Sequence, residues 1–481
     1  MFLTLAACGL LALFVAPPEP FGALPSHRQA EHAKLETYAF LHFTVNTFTD
    51  REWGHGDEDP NVFDPDQFDP DQIVLALKAG GMKGAILTCK HHDGFCLWPS
   101  KTTDHTIAQS KWKNGKGDVV RAIADACRRH GLRFGVYLSP WDRNNAHYGK
   151  PEYVSTYRQQ LHELLSQYGP IFEVWHDGAN GGDGYYGGAR ETRSIDRRTY
   201  YGWPETWEMV RKLQPDACIF SDVGPDLRWV GNESGYAAET SWQTYDPIGE
   251  KDDQPAPGYV KSAQGEAGTR HGKNWLPAEC DVSIRPGWFW HASEDGKVKS
   301  LAALLDLYYR SVGRGASFLL NVPPNRHGRI SDPDVANLKA FGDVVRETFA
   351  HNLAAGARVS ASNVRGGISA NALLSGDDRR YYTSDDSALT PTIELDLRGQ
   401  KTFDVIRLRE AIRLGQRVER LAVDVSKDGS WQEVGGATSV GSCRLIRLPH
   451  PVTSDKVRIR ILASAACPVL YDFGLFKQPG R

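Results

Sequence analysis

Between residues 38 and 324 of this 481-residue chain, short runs of apolar, β-branched and aromatic residues alternate with stretches whose apolar positions recur every three to four residues. A strand repeats its environment every second residue and a helix about every 3.6, so this alternation marks βα units around a parallel sheet. Eight runs can be read: AFLHFTVN (39–46), GAILTCK (84–90), RFGVYLSP (133–140), IFEVWHDG (171–178), ACIFSDV (217–223), the short ETSW (239–242), CDVSIRPG (280–287) and ASFLLNVPP (316–324). Helical patterning fills 71–79, 118–130, 152–168, 204–213 and 301–312. Eight strands with interposed helices predict a (β/α)8 TIM-type barrel, which takes about 250 residues and more with insertions.

Ser331 followed by DPDVANLKAFGDVVRETFAHN reads as a capped helix that closes the barrel, with Pro333 in its first turn. Beyond residue 350 the helical period stops. TIELDL (392–397), FDVIRLRE (403–410), ERLAVDVS (419–426), CRLIRL (443–448) and KVRIRI (456–461) alternate with period two between Gly and Asp turns, which predicts a C-terminal antiparallel β-sandwich. The expected division is a leader over 1–25, a barrel over 26–350 and a sandwich over 351–481.

The leader rests on Leu3 to Val15, an apolar run of the length of a signal h-region and too short to span a bilayer. Export to the periplasm or outside is the favoured reading, although no Lys or Arg precedes Arg28 and Pro17 and Pro18 blur a cleavage site. Leu5-Ala6-Ala7-Cys8 resembles a lipobox that comes too early, so soluble release is favoured over a lipid anchor. Cys89, Cys96, Cys127, Cys218, Cys280, Cys443 and Cys467 form an odd set with no CxxC, which predicts buried free thiols. Lys plus Arg number 56 against 59 Asp plus Glu, so the chain lacks the basic surplus that nucleic-acid binding needs. No motif sets an oligomeric state.

Of 13 Trp only Trp431, and of 16 His only His351 and His450, lie beyond residue 350. Chemistry is therefore expected in the barrel, where His and Trp suit recognition of a small neutral ligand. The strand C-termini share one face in a barrel, and that face carries the active site. The runs end in His42 and Asn46, Lys90-His91-His92, Tyr137, Trp175 and Asp177, Asp222, and Asn321.

Asp177 in IFEVWHDGANGG stands at a strand end before a glycine-rich turn that opens it to a ligand; the plain alternative is an Asp that caps the turn. Glycoside hydrolysis needs a second carboxyl to protonate the leaving oxygen. Glu233 in LRWVGNESG is favoured over Glu279 in WLPAECDVSIRPGWFW, because Glu233 sits in a loop beside Trp229 whereas Glu279 precedes a strand, at the wrong end for the site. His91 and His92 lack metal-ligand spacing and make better sense as neutral partners of sugar hydroxyls.

These segments, HFTVNTF with REWGHGDEDP, KHHDGFCLWPS, FGVYLSPWDR, EVWHDGANGGDGYYGG, RWVGNESG and PAECDVSIRPGWF, resemble in order the motif series of family 29 glycoside hydrolases, the retaining α-L-fucosidases, and particularly the branch preferring α-1,3/1,4-linked fucose. The resemblance covers roughly residues 20–350. It implies Asp177 as nucleophile, Glu233 as acid/base, no cofactor or metal, and a fucosylated oligosaccharide or glycoconjugate as substrate. It also implies a fucose pocket from His42, Glu52, Trp53, His91, His92, Tyr137, Trp175 and an aromatic among Trp288 to Trp290, with Glu279 kept as a substrate-binding candidate. One departure stands out: His176 precedes the nucleophile where relatives carry an aromatic. It either hydrogen-bonds Asp177 or, as strand neighbours do, faces the opposite way, which is the favoured reading. A carbohydrate-binding pseudoenzyme and an exo-glycosidase for a related sugar such as galactose are the rival readings. The segment after 351 resembles discoidin-type or carbohydrate-binding sandwiches.

Overall fold

The computed structural model describes residues 16–480, so the apolar run Leu3 to Val15 lies outside the described residues. Eight parallel strands close into a barrel: β1 Thr37–Leu41, β2 Gly84–Lys90, β3 Arg133–Leu138, β4 Glu173–Trp175, β5 Cys218–Ser221, β6 Leu227–Trp229, β7 Ala278–Ser283 and β8 Ser317–Asn321. Each pairs with its neighbours in chain order, and β8 returns to β1 through Thr37 opposite Phe318. The strands are buried on both faces, as a barrel wrapped by helices requires.

The helices wrap the ring for local reasons. In Val119–His130, Asp118 caps the N-terminus by accepting from Arg121 N at 2.8 Å, Gly131 ends the helix at φ +74°, and Val119, Val120, Ile123, Ala124 and Cys127 form its buried stripe. Asp332–Phe349 follows Ser331, whose hydroxyl makes no capping bond, and packs against helix Pro70–Ala79.

The sixth strand differs from the expectation. Glu239 to Trp242 forms no strand; β6 is the three-residue Leu-Arg-Trp just before Glu233. Arg228 disguises it, because a charged centre reads as loop. Its guanidinium is instead fully buried, donating to the carbonyls of Gly265 (2.9 Å), Trp242 (3.0 Å) and Leu276. A buried charge is tolerated when its donors are all met.

The C-terminal region is an antiparallel sheet domain, a β-sandwich built on two long bent strands. Thr392–Glu410 joins the runs at 392–397 and 403–410 across register shifts, and Arg444–Ser464 joins those at 443–448 and 456–461. Every described cysteine is free and buried. Among the described residues no helix is long and apolar enough to cross a membrane.

The two regions share a core. Val405, Cys443, Leu445 and Phe476 of the sandwich belong to the same apolar cluster as Tyr308 and Tyr309 of the barrel, with Phe349 packed on it. Arg409 pairs with Glu36 at 2.6 Å, and Gln243 bonds Ser442 and Gln416 across the seam. A chain ended at residue 350 should therefore lose cooperative stability. Calorimetry is expected to show one transition for the full chain and a melting temperature at least about 10 °C lower, or no soluble protein, for the truncation.

Candidate active site

At the C-terminal face the ring encloses a cavity of about 350 Å³, within the size class of small-ligand sites. His42, Trp53, His91, His92, Tyr137, Trp175, Asp177, Glu233 and Trp288 line it. Of the sequence-derived residues, Glu52, Glu279 and Trp290 do not.

Asp177 stands two residues beyond Trp175, so both point inward, and His176 between them points away. His176 is fully buried behind the strand, with Nδ1 2.8 Å from the Tyr157 hydroxyl and its ring against Trp203. Burial pushes its pKa down to about 3, and it makes no bond to Asp177. Asp177 Oδ1 accepts from Ala179 N at 2.7 Å and Oδ2 from the Tyr137 hydroxyl at 3.0 Å, so it serves its turn and still faces the cavity. Burial raises its pKa and these two bonds oppose the rise.

Glu233 lies in the loop after β6, brought to the site because that strand exists. Its Oε2 accepts from Trp288 Nε1 at 3.3 Å. Burial raises its pKa against that bond, and the charges of Asp177 and Glu52 add to the rise.

The imidazoles are neutral. Burial lowers His42 and His92 to about 3 and His91 well below its ordinary value. Their tautomers follow from their partners. Ser139 Oγ donates to Trp141 O at 2.7 Å, so it accepts from His92 Nδ1–H at 2.7 Å; His42 Nδ1 likewise donates to Asn321 Oδ1 at 2.9 Å. His42 and His92 each keep Nε2 as an acceptor, the complement of a hydroxyl donor. His91 and His92 both reach the cavity because β2 ends at Lys90.

Structure corrects three sequence-derived placements. Glu52 holds the wall instead of forming it: its carboxylate accepts from Trp288 N (2.8 Å) and Phe289 N (3.1 Å) and bonds His291 Nε2 (2.7 Å), and so fixes the turn that carries Trp288. Glu279 is inside β7, not ahead of a strand, and lies buried below the cavity floor, where it accepts from Trp175 Nε1 at 2.7 Å. Trp290 turns outward beneath the Arg285 guanidinium, 5.9 Å from its ring centre.

The structure adds Phe40, Phe220, Trp229, Asp222 and Asp281, with Val260 and Ser262 from a distant loop. Asp222 ends the fifth sequence run and was visible as a strand-end carboxylate; burial raises it to about 6. Asp281 accepts from Trp229 Nε1 at 2.8 Å, and burial with the Glu233 charge lifts it well above the carboxylate range. The distant loop is drawn in by Gly258, whose N–H donates to Asp222 Oδ2 at 2.9 Å; at φ +76° a Cβ there would stand 2.2 Å from Gly178 O. Among the described residues the one group of three potential metal ligands is His32, Glu173 and Glu279, below the floor.

The chain matches two family models, alpha-L-fucosidase over residues 23–348 and F5/8 type C domain over residues 358–471. It is 41% identical over 468 residues to alpha-L-fucosidase 1 of Arabidopsis thaliana, covering 95% of this chain and 88% of that one. Among solved structures, a glycoside hydrolase 29 family member from an unknown rumen bacterium superposes with a TM-score of 0.85 at 43% identity, over 96% of this chain and 79% of that one. A Ruminococcus gnavus fucosidase of the same family, solved with fucose, superposes with a TM-score of 0.84 at 30% identity and 98% coverage of both chains.

Removing the Glu52 carboxylate should free the Trp288 turn, whose indole N–H bonds Glu233. Glu52→Ala is expected to lower kcat/KM at least about 30-fold, the scale of losing the charge-assisted hydrogen bonds from the Trp288 and Phe289 amides, with the fold kept by circular dichroism.

Proposed function

Since this chain belongs to the alpha-L-fucosidase family, glycoside hydrolase family 29, and is an α-L-fucosidase, we propose that it releases terminal fucose by retaining double displacement with Asp177 as nucleophile and Glu233 as acid/base. The observation that carries the reading is that Asp177 and Glu233 share one cavity in different electrostatic settings. Burial raises both, but Asp177 has two hydrogen bonds that favour its charge, whereas Glu233 has one long bond of that kind and the like charges of Asp177 and Glu52, which favour its proton. Environments that push two carboxyls apart assign base and acid.

In this mechanism Asp177 attacks the anomeric carbon while Glu233 gives its proton to the leaving oxygen; Glu233 then deprotonates the water that frees fucose. Tyr137, donating to Asp177 Oδ2, aims the nucleophile. His42, His91 and His92 are uncharged and suit uncharged hydroxyls, and Phe40, Trp175 and Phe220 supply an aromatic wall for the sugar's C6 methyl. Preference for α-1,3/1,4 linkages rests on the motif series, and export rests on the apolar run Leu3 to Val15. His176 faces away from Asp177, against Tyr157 and Trp203, so this departure from the family's pattern gives the pseudoenzyme reading no support.

Asp177→Ala should lower release of fucose from an aryl α-L-fucoside by at least about a thousand-fold; activity near wild type would sink the assignment. Activity rises as Asp177 ionises and falls as Glu233 loses its proton, so kcat/KM should be bell-shaped, with both limbs above the ordinary carboxylate values. In Glu233→Gln the alkaline limb should vanish. Proton NMR in the first seconds should show α-L-fucose; the β-anomer would establish inversion. Trisaccharides with α-1,3- or α-1,4-linked fucose should be cleaved at least ten-fold faster than an α-1,2-linked one, and equal rates would refute the preference.

A further inference from the structure

The floor of the barrel holds a polar cluster that the proposed chemistry does not use. His32 comes from helix His27–Ala33, Tyr38 from β1, Glu173 from β4 and Glu279 from β7, and all four are buried. Glu279 Oε1 accepts from Trp175 Nε1 at 2.7 Å and its Oε2 from the Tyr38 hydroxyl, while Glu173 Oε2 lies 2.7 Å from His32 Nε2. The ligand atoms of His32, Glu173 and Glu279 lie within 4.8 Å of one another.

We propose that Glu279 is a positioning residue: a neutral carboxylic acid sharing its proton with Glu173, it fixes the indole plane of Trp175 and, through Trp175 and Tyr137, the aim of Asp177. The inference rests on Asp177 being the nucleophile.

Two arguments lead there. The first is charge. No Lys or Arg side chain bonds either carboxyl among the described residues, and His32, which burial lowers to about 4, is neutral. Two adjacent buried carboxyls to which no cationic side chain is bonded do not both ionise, so at least one proton stays between them. Glu173 Oε1 has no partner, and a proton carried by Glu279 supplies one. Burial, with the neighbouring Glu173 adding to it, drives Glu279 far above the carboxylate range, and burial takes Glu173 to about 8 against the hydrogen bond from Glu279 that lowers it. The other charged groups that face the cluster are Asp226 and Arg133 below and Asp281 above. Asp226 is paired with Arg28 and Arg211.

The second argument is continuity. The Trp175 indole stacks on Phe220 at 4.1 Å and 8°, and on Tyr137 at 5.3 Å and 29°. Tyr137 in turn donates to Asp177 Oδ2 at 3.0 Å. A buried indole N–H without an acceptor would turn to find one, and the stack would turn with it. The same His-Glu-Glu set resembles a zinc ligand set, but both oxygens of Glu279 already accept from neutral donors, and His32 stands at hydrogen-bond distance from Glu173. A shared proton accounts for every contact.

The test compares Glu279→Gln, Glu279→Leu, Trp175→Phe and the double variant Glu279→Leu/Trp175→Phe on an aryl α-L-fucoside. Glutamine keeps an acceptor for the indole and a donor for Glu173, so it should rescue kcat to within about three-fold of wild type, whereas leucine should lower kcat at least ten-fold with KM changed less than three-fold. The double variant should be no slower than the worse single variant. In wild type the Trp175 indole N–H resonance, assigned by its loss in Trp175→Phe, should hold its position from pH 5 to 7, a readout that stands even if the leucine variant does not fold. The proposal is overturned if glutamine is as damaging as leucine, if leucine leaves kcat intact, if the two losses multiply, if the resonance titrates in that range, or if purified protein retains one equivalent of metal. Failure of the nucleophile assignment shows separately, as activity surviving in Asp177→Ala.

Discussion

Everything in this molecule depends on how far side chains fill the inside of a closed ring of eight short parallel strands. Strands in such a ring point every second residue inward, and the interior is normally packed solid. Here Tyr38, Glu173 and Glu279 occupy the lower interior and Phe40, Trp175 and Phe220 the next level, and above them the inward positions leave a cavity. β4 ends at Trp175 and β6 at Trp229, so Asp177 stands two residues and Glu233 four residues beyond the ring. They keep the precision of the strands while gaining access to ligand.

Burial acts oppositely on acids and bases, and the site uses both senses. It raises Asp177, Asp222, Glu233 and Asp281 and lowers His42, His91 and His92, so the four carboxyls and three imidazoles that line the cavity tend toward neutrality. That suits an uncharged sugar. Asp177 is set apart by an amide and a phenol that both favour its ionised form, the local asymmetry on which the proposed division of roles rests.

The sandwich is more than an appendage, since its Val405, Leu445 and Phe476 complete apolar packing begun by barrel helices. Its own polar interior follows the same rule as the barrel floor. Glu410 is buried and accepts from the amides of Arg417, Val418 and Gly441 at 2.7–2.8 Å, which fixes the turn bearing Ser442 against Gln243 of the barrel. Fold and site are thus linked through groups that are expensive to leave unpaired.

The amino-acid order by itself determined the barrel, the sandwich and the family, and it singled out Asp177 and Glu233 as candidates, because periodicity, strand-end chemistry and motif order are local and survive in one dimension. It placed His91, His92, Tyr137 and Trp175 on the right face for the same reason. Tertiary structure alone decided the rest. A three-residue strand centred on Arg228 is invisible until distant carbonyls surround it. Glu52, Glu279 and Trp290 look like ligands for the site in sequence, yet the side a residue faces depends on where its strand begins and what packs behind it. Val260 and Ser262 enter the cavity only because a hydrogen bond between Gly258 and Asp222, far apart in the chain, draws their loop there. A sequence records which groups can bond, and only the closed fold settles which of them meet.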